Sequence, residues 1–199
     1  PTDLEDCAQC LLEGFFKTDM TPEILTFFID YSYVLIGKSS FTLVAESDGK
    51  VVGFICGEYQ KSFDQGLAKK TVHSVTWAFL KWMLKYQTGR YKLPKDFQKE
   101  FKIFLAFARN MEGKELGVCD CELSALSSRR DYRRGLGTAL VNKMLARCRE
   151  ANAKSIRLFT NTDSTYQFYD KHGFTRLAEK SFKWDGHSGT SFLYEIQID

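Results

Sequence analysis

Histidine is scarce in this chain of 199 residues, with three copies at positions 73, 172 and 187. None falls at a zinc-ligand spacing with the six cysteines, which sit at 7, 10, 56, 119, 121 and 148. Cys7-x-x-Cys10 has no second pair of its kind, so no metal is expected. Six cysteines in a chain this long do not make a disulfide scaffold either; buried free thiols in a reducing cytoplasm fit better. Long hydrophobic runs are absent. The longest aromatic-rich stretch, 26–37, is about 12 residues and is broken by Asp30, whereas a membrane span needs about 20. The opening residues, PTDLEDCAQC, are acidic, unlike a secretory signal or an arginine-rich transit peptide. There is no internal repeat, no low-complexity segment, no Gly-Lys-Ser/Thr phosphate loop and no Ser/His/Asp or Cys/His nucleophile set. These absences point to a cytoplasmic protein without membrane partners.

What is present suits a packed fold. Apolar residues make up 44% and charged residues 27%, and the length fits one domain or one domain with a large insertion. The net charge of +3 is unevenly spread. Residues 61–117 hold 12 basic and 5 acidic side chains, whereas the remainder holds 16 and 20. Such a segment could meet an anionic partner. Its aromatics, however, recur at helical spacing rather than interleaving with basic residues on a strand, so its lysines read as wet helix faces. Nucleic acid is therefore not the expected partner; steeply salt-dependent binding would mark that reading.

Apolar positions 8, 11, 12 and 15 predict a helix over 5–16. Thr21-Pro22-Glu23 is a helix start, with a second helix running to about Ile36 and Gly37 able to stop it. Phe41–Ala45 and Val51–Tyr59 read as strands joined through Asp48-Gly49, a strong hairpin signal. Two apolar stripes fill 61–117: Val72, Val75, Phe79, Trp82, Met83, Tyr86, then Phe97, Phe101, Phe104, Leu105, Ala108. They predict a helical hairpin inserted into one domain. Strand patterns follow at 118–126, 155–160, 174–184 and 191–198, with a helix from Thr138 to about Glu150. A short helix capped by Asp163 or Ser164 reaches His172, and Gly173 closes it.

The most informative segment is SALSSRRDYRRGLGTALVNKML. A strand ends, a basic loop follows, and Gly135 and Gly137 open a helix. Helix starts carry unpaired N–H groups and partial positive charge, and glycines let a phosphate approach the backbone. With Arg133 and Arg134 alongside, this is a pyrophosphate cradle. A dinucleotide fingerprint would need a third glycine where Leu140 stands.

Tyr132-Arg133-Arg134-Gly135-Leu136-Gly137 resembles the acetyl-CoA loop, R/Q-x-x-G-x-G/A, of the GNAT (Gcn5-related) N-acetyltransferases, with Tyr132 in place of Arg or Gln. Arg134-x-x-Gly137-x-Ala139 offers a second register. Residues 162–174 are similar to that family's N-x-x-A-x-x-F-Y-x-K-x-G-F: Phe168, Tyr169, Lys171, Gly173 and Phe174 match, Thr162 replaces Asn, and Asn161 lies one residue early. The hairpin FTLVAESDGKVVGFICGEY looks like the family's second and third strands. The resemblance covers roughly 5–60 and 118–198, with 61–117 as an addition and the usual first strand either missing or trimmed before Pro1.

The resemblance implies an α/β fold with a mixed, mostly antiparallel sheet flanked by helices, in which two parallel strands, about 119–127 and 155–160, splay apart. It implies one acyltransferase domain over 1–199, with acetyl-CoA as co-substrate and an amine acceptor, and allows a homodimer. Backbone N–H groups near Leu126, Ser127 and Ser128 would hold pantetheine and polarise the thioester carbonyl. Arg133, Arg134, Gly135, Leu136, Gly137, Thr138, Asn161 and Tyr169 complete the expected coenzyme contacts. Glu122, then Asp120, is the candidate general base, and Tyr169 the proton donor to the leaving thiolate. The insertion is expected to wall the acceptor site. The competing reading is a non-catalytic acyl-CoA-sensing or protein-binding module on the same fold.

Overall fold

A computed structural model describes residues 2–60, 63, 73–110 and 118–198. Val72 and the ends of the 61–117 segment lie outside the described residues. The chain begins with two helices, α1 (Thr2–Phe15) and α2 (Pro22–Lys38). Pro22 sits at the first helical position of α2, and the Thr21 hydroxyl accepts the Ile24 N–H at 3.3 Å, as the sequence predicts. Gly37 does not stop this helix. It lies inside α2, where a Cβ would come 2.8 Å from the Val75 side chain, so its role is close approach to a neighbouring helix. Ser39 ends α2, its hydroxyl donating to the Leu35 carbonyl at 2.7 Å.

Strands β1 (Phe41–Ser47) and β2 (Lys50–Tyr59) follow as an antiparallel hairpin. Asp48 and Gly49, with φ of 52° and 72°, form its two-residue turn. Phe41 pairs with Gly57 and lays its ring over it, so the missing side chain is what admits the ring. The inserted helices are α3 (His73–Gln87) and α4 (Lys95–Asn110). Then come β3 (Cys121–Ser128), a single 3-10 turn at Arg130–Tyr132, α5 (Arg133–Glu150), β4 (Ser155–Asn161), α6 (Gln167–Lys171), β5 (Thr175–Trp184) and β6 (His187–Gln197). The last hairpin turns at Asp185-Gly186, so His187–Thr190 belong to strand and not to loop. Asp163 and Ser164 do not cap α6. Its first turn has no side-chain cap, and Asp163 instead lies 2.8 Å from His187 while Ser164 donates to the Asn161 carbonyl.

The six strands form one sheet in the order β1-β2-β3-β4-β6-β5, antiparallel except between β3 and β4. Two cores lie on its two faces. On one, α5 packs Leu140, Val141, Met144 and Cys148 onto Ile55, Leu123, Ile156, Leu158 and Tyr194. On the other, α1 and α2 meet β2 and β3, and the inserted helices close the cluster. Phe27 is fully buried and touches the rings of Trp82, Tyr91, Phe97 and Phe101 at 4.9–5.6 Å. Asp30 accepts from Lys85 at 2.7 Å and Tyr91 at 2.5 Å. The insertion thus supplies part of the core. Removing it would expose several aromatic side chains, each stabilising by about 1.5–3 kcal/mol when buried.

Gly57→Ala forces the Phe41 ring off the strand. We expect destabilisation of about 1–3 kcal/mol, read as a lower urea midpoint with an unchanged slope.

Candidate active site

Strand β3 carries one residue too many. Cys56 pairs with Ala125, but the next residue, Gly57, pairs with Leu123, leaving Ser124 as a bulge. The bulge reverses the strand's facing. Cys121 and Leu123 point into the α5 core, whereas Ala125 and Ser127 turn to the α1 side. Past this region β3 parts from β4. The two pair in register only at Cys121–Ile156 and Glu122–Arg157, and Leu123–Ser128 have no partner strand on the β4 side. The Arg129 N–H donates to the Val52 carbonyl on β2 at 2.9 Å. Strand alternation therefore directs the Ser127 N–H toward β2 and the Leu126 and Ser128 N–H groups into the gap. Ser127 is also taken up by its side chain, which is 3% exposed and donates to the Cys10 carbonyl at 2.6 Å. The hydroxyl of Ser124, the bulged residue, is buried without a hydrogen-bond partner among the described residues.

Arg129 and its neighbours fasten the loop after β3 to α1. Arg129 pairs with Asp6 at 2.5 Å, the Arg130 N–H reaches Glu13 at 2.7 Å, and the Arg133 guanidinium donates to the Glu13 carbonyl. Within α5 the backbone leaves helical geometry at Arg134 (ψ 100°) and Gly135 (φ 81°), and the helix restarts at Leu136. Gly135 holds the left-handed conformation that glycine adopts without strain, and the space where its Cβ would stand is open. The left-handed turn thus falls at Gly135, the glycine that the two registers do not share. The amides that follow lie in the first turn of the restarted helix, at its positive end. Arg134 is exposed and has no ion-pair partner among the described residues.

The two sequence motifs meet in space. A Cβ on Gly137 would come 3.3 Å from the Phe168 ring of α6. His172 stacks on Phe168 at 4.0 Å, its Nδ1 lies 2.6 Å from the Phe168 carbonyl and its Nε2 2.9 Å from the Thr138 hydroxyl. A carbonyl only accepts, so Nδ1 carries the hydrogen. Tyr169 packs its ring among Phe168, Phe174 and Tyr194, and burial pushes its phenol well above the usual range, so it stays protonated. Among the described residues its hydroxyl has no hydrogen-bond partner. Asn161 ends β4, with its side-chain oxygen accepting the Asp163 N–H at 2.8 Å. Leu136 is half-buried against Gly53 of β2.

Glu122 stands at the last paired position before the gap, on the face opposite α5. Burial raises its pKa, and the Glu58 carboxylate beside it raises it further, against smaller opposing effects of Lys38 and Arg157. Asp120 is committed elsewhere, accepting the Lys154 N–H at 2.6 Å. Sequence reading missed the bulge at Ser124 and the pairing of Glu58 with Glu122, because both depend on register between distant strands. It also missed α4's far end, where Phe107 packs on Phe182 at 3.7 Å and Asn110 donates to the Lys180 carbonyl at 3.0 Å. An extra apolar residue at Phe107, off the stripe of Phe97 and Phe101, was the available signal.

Because Glu122 binds protons more readily folded than unfolded, its ionisation costs stability as pH rises through the carboxylate range. Glu122→Gln should therefore raise the melting temperature at pH 7, with the gain disappearing below the ordinary carboxylate pKa. A melting curve at each pH reads this directly.

Comparison with known proteins returns the same fold. The Acetyltransferase (GNAT) family model matches residues 104–174. Among solved structures, aminoglycoside 6'-acetyltransferase type Ii superposes with a TM-score of 0.59 at 15% identity, covering 100% of this chain and 92% of the other. A GNAT-family protein from Desulfovibrio desulfuricans gives 0.56 at 13%, covering 100% and 94%. Naa20 from Chaetomium thermophilum, in complex with a bisubstrate analogue, gives 0.52 at 17%, covering 98% and 82%. No curated protein sequence matches the chain. Among the described residues no helix is long and apolar enough to cross a membrane, and no cluster of ligating side chains could hold a metal ion. With its splayed β3–β4 pair and its glycine turn ahead of α5, the chain has the fold of the GNAT acetyltransferases and, over 104–174, the sequence pattern of that family.

Proposed function

We propose that this chain is an acetyl-CoA-dependent N-acetyltransferase, acting by direct transfer on an amine of a small molecule or peptide, with 1–199 as one acyltransferase domain. The observation that carries the reading is the gap between β3 and β4, opening beside the helix restart at Leu136. Acetyl-CoA fits the features near that gap: two strand amides directed into it, and open space at Gly135 ahead of the restarted helix. Naa20 and the aminoglycoside 6'-acetyltransferase, similar in fold, lend support to an amine acceptor.

Bound acetyl-CoA supplies an acetyl group activated as a thioester. The α5 amides from Leu136 to Thr138, with the positive end of the helix, hold its diphosphate, and Arg134 adds a full charge at the same place. Arg133, tied to the end of α1, contributes through its field. The Leu126 and Ser128 N–H groups hold pantetheine and face the oxygen on which charge develops. Asn161 borders the gap from β4. Glu122 takes the proton that an incoming ammonium must lose before its nitrogen can attack. As the new C–N bond forms and the C–S bond breaks, Tyr169 gives its hydroxyl proton to the leaving sulfur, and the second proton, shed by the newly acylated nitrogen, passes through water to restore the phenol. Its raised pKa keeps that proton available across the neutral range.

Two measurements test the reading. Asparagine and aspartate both tolerate a left-handed backbone, so Gly135→Asn and Gly135→Asp differ mainly by one charge. Calorimetric titration with acetyl-CoA should show Gly135→Asp binding at least tenfold more weakly than Gly135→Asn, given the worth of a charge at a helix start; equal affinities would refute the phosphate site. Tyr169→Phe should lower kcat by about 10² or more with an unchanged fold, and an unaltered rate would remove the proton-donor role.

A further inference from the structure

Glu122 stands in a row of charged side chains that crosses the sheet on the face opposite α5. Strand register pairs Glu58 of β2 with Glu122 of β3, Glu122 with Arg157 of β4, and Arg157 with Glu195 of β6. Lys38, the last residue of α2, lies 3.6 Å from Glu58. Arg157 donates to Glu195 from two nitrogens at 3.0 and 2.6 Å, with side chains 11% and 14% exposed. Each outer carboxylate therefore has its own cation. Glu122, between them, has no hydrogen bond or ion pair among the described residues.

Among the described residues the row holds three carboxylates and two cations, one negative charge in excess. Half-buried charge is costly without a counter-charge, so the row is neutral when it takes up a single proton. The carboxylate without a cation of its own is where that proton settles. An ammonium group arriving at Glu122 meets the same excess charge and can deliver the proton.

We infer that Glu58 and Lys38, two residues with no contact to the reacting atoms, are positioning residues that act through Glu122. Glu58 sets a second negative charge beside Glu122 that makes it receptive to a proton, and Lys38, paired with Glu58, limits that effect. Facing Glu122 among the described residues are Glu58 from β2, Lys38 from α2 and Arg157 from β4, while Cys119, just ahead of β3, feels its charge. The inference rests on the general-base role proposed above.

The test is the pH dependence of kcat/KM for acetyl transfer to a simple amine, measured on the full chain and on variants whose melting curves show them folded. Glu58→Gln removes a negative neighbour and should move the acid limb of the profile to lower pH. Lys38→Met removes a positive one and should move it to higher pH. Opposite shifts support the inference, since packing damage has no reason to move the limb in two directions. Limbs that stay in place, or move the same way, overturn it. If only Glu58→Gln folds, the direction of its shift alone decides. Glu122→Gln separates this from the underlying reading: a retained rate and a retained limb would refute Glu122 as base, whereas a lost limb with unresponsive Glu58 and Lys38 variants would refute only their role.

Discussion

One additional residue in β3 shapes much of what surrounds it. A strand paired on both sides cannot gain a residue without breaking its ladder somewhere, and here the break falls at Ser124. Before it, Cys121 and Leu123 face α5; after it, Ala125 and Ser127 face α1. The same dislocation accompanies the parting of β3 from β4. A gap in the middle of a sheet would be expensive if its amides stayed dry and unpaired. It persists because β3 stays paired with β2 on its other side on both sides of the bulge, and because α1 grips the strand's end through Ser127, Arg129 and Arg130.

The inserted helices change the meaning of the surrounding fold. An addition of this length could have been an appendage. Instead, α3 and α4 bring Trp82, Phe97 and Phe101 onto Phe27, and Lys85 onto Asp30. Further along, α4 crosses to the other side of the gap and rests Phe107 and Asn110 on β5 and β6. The expectation that the insertion lines an acceptor site is compatible with this course. Its first role, however, is to complete the core.

Legibility in the sequence followed the range of the interaction. The Thr21-Pro22 start of α2, the Asp48-Gly49 turn and the stripes of α3 and α4 are local, and each was readable from its own residues. The glycine loop and the Phe168–Gly173 segment were readable as motifs, though not that Gly137 touches Phe168. Gly37 was misread because a glycine near a helix end has two physical uses, termination and close approach, and only the position of α3 decides. Asp163 and Ser164 had the right chemistry for a cap, but the chain makes another turn before α6 begins. The bulge and the charged row were invisible for one reason: both are made by strand register, which single-sequence periodicity does not contain.

The sheet's two halves, β1-β2-β3 and β4-β6-β5, are joined by two residue pairs, Cys121–Ile156 and Glu122–Arg157. Their cohesion must come from outside the ladder. On one face α5 joins them through the core that holds both Leu123 and Leu158; on the other, α4 straddles from Phe16 to Phe182. The protein is therefore built like a clamshell with a thin seam and two straps. A molecule seated in the seam would touch both shells, so its binding energy would reappear as added resistance to their separation. Ligand affinity and the gain in resistance to unfolding would then be one quantity measured in two ways.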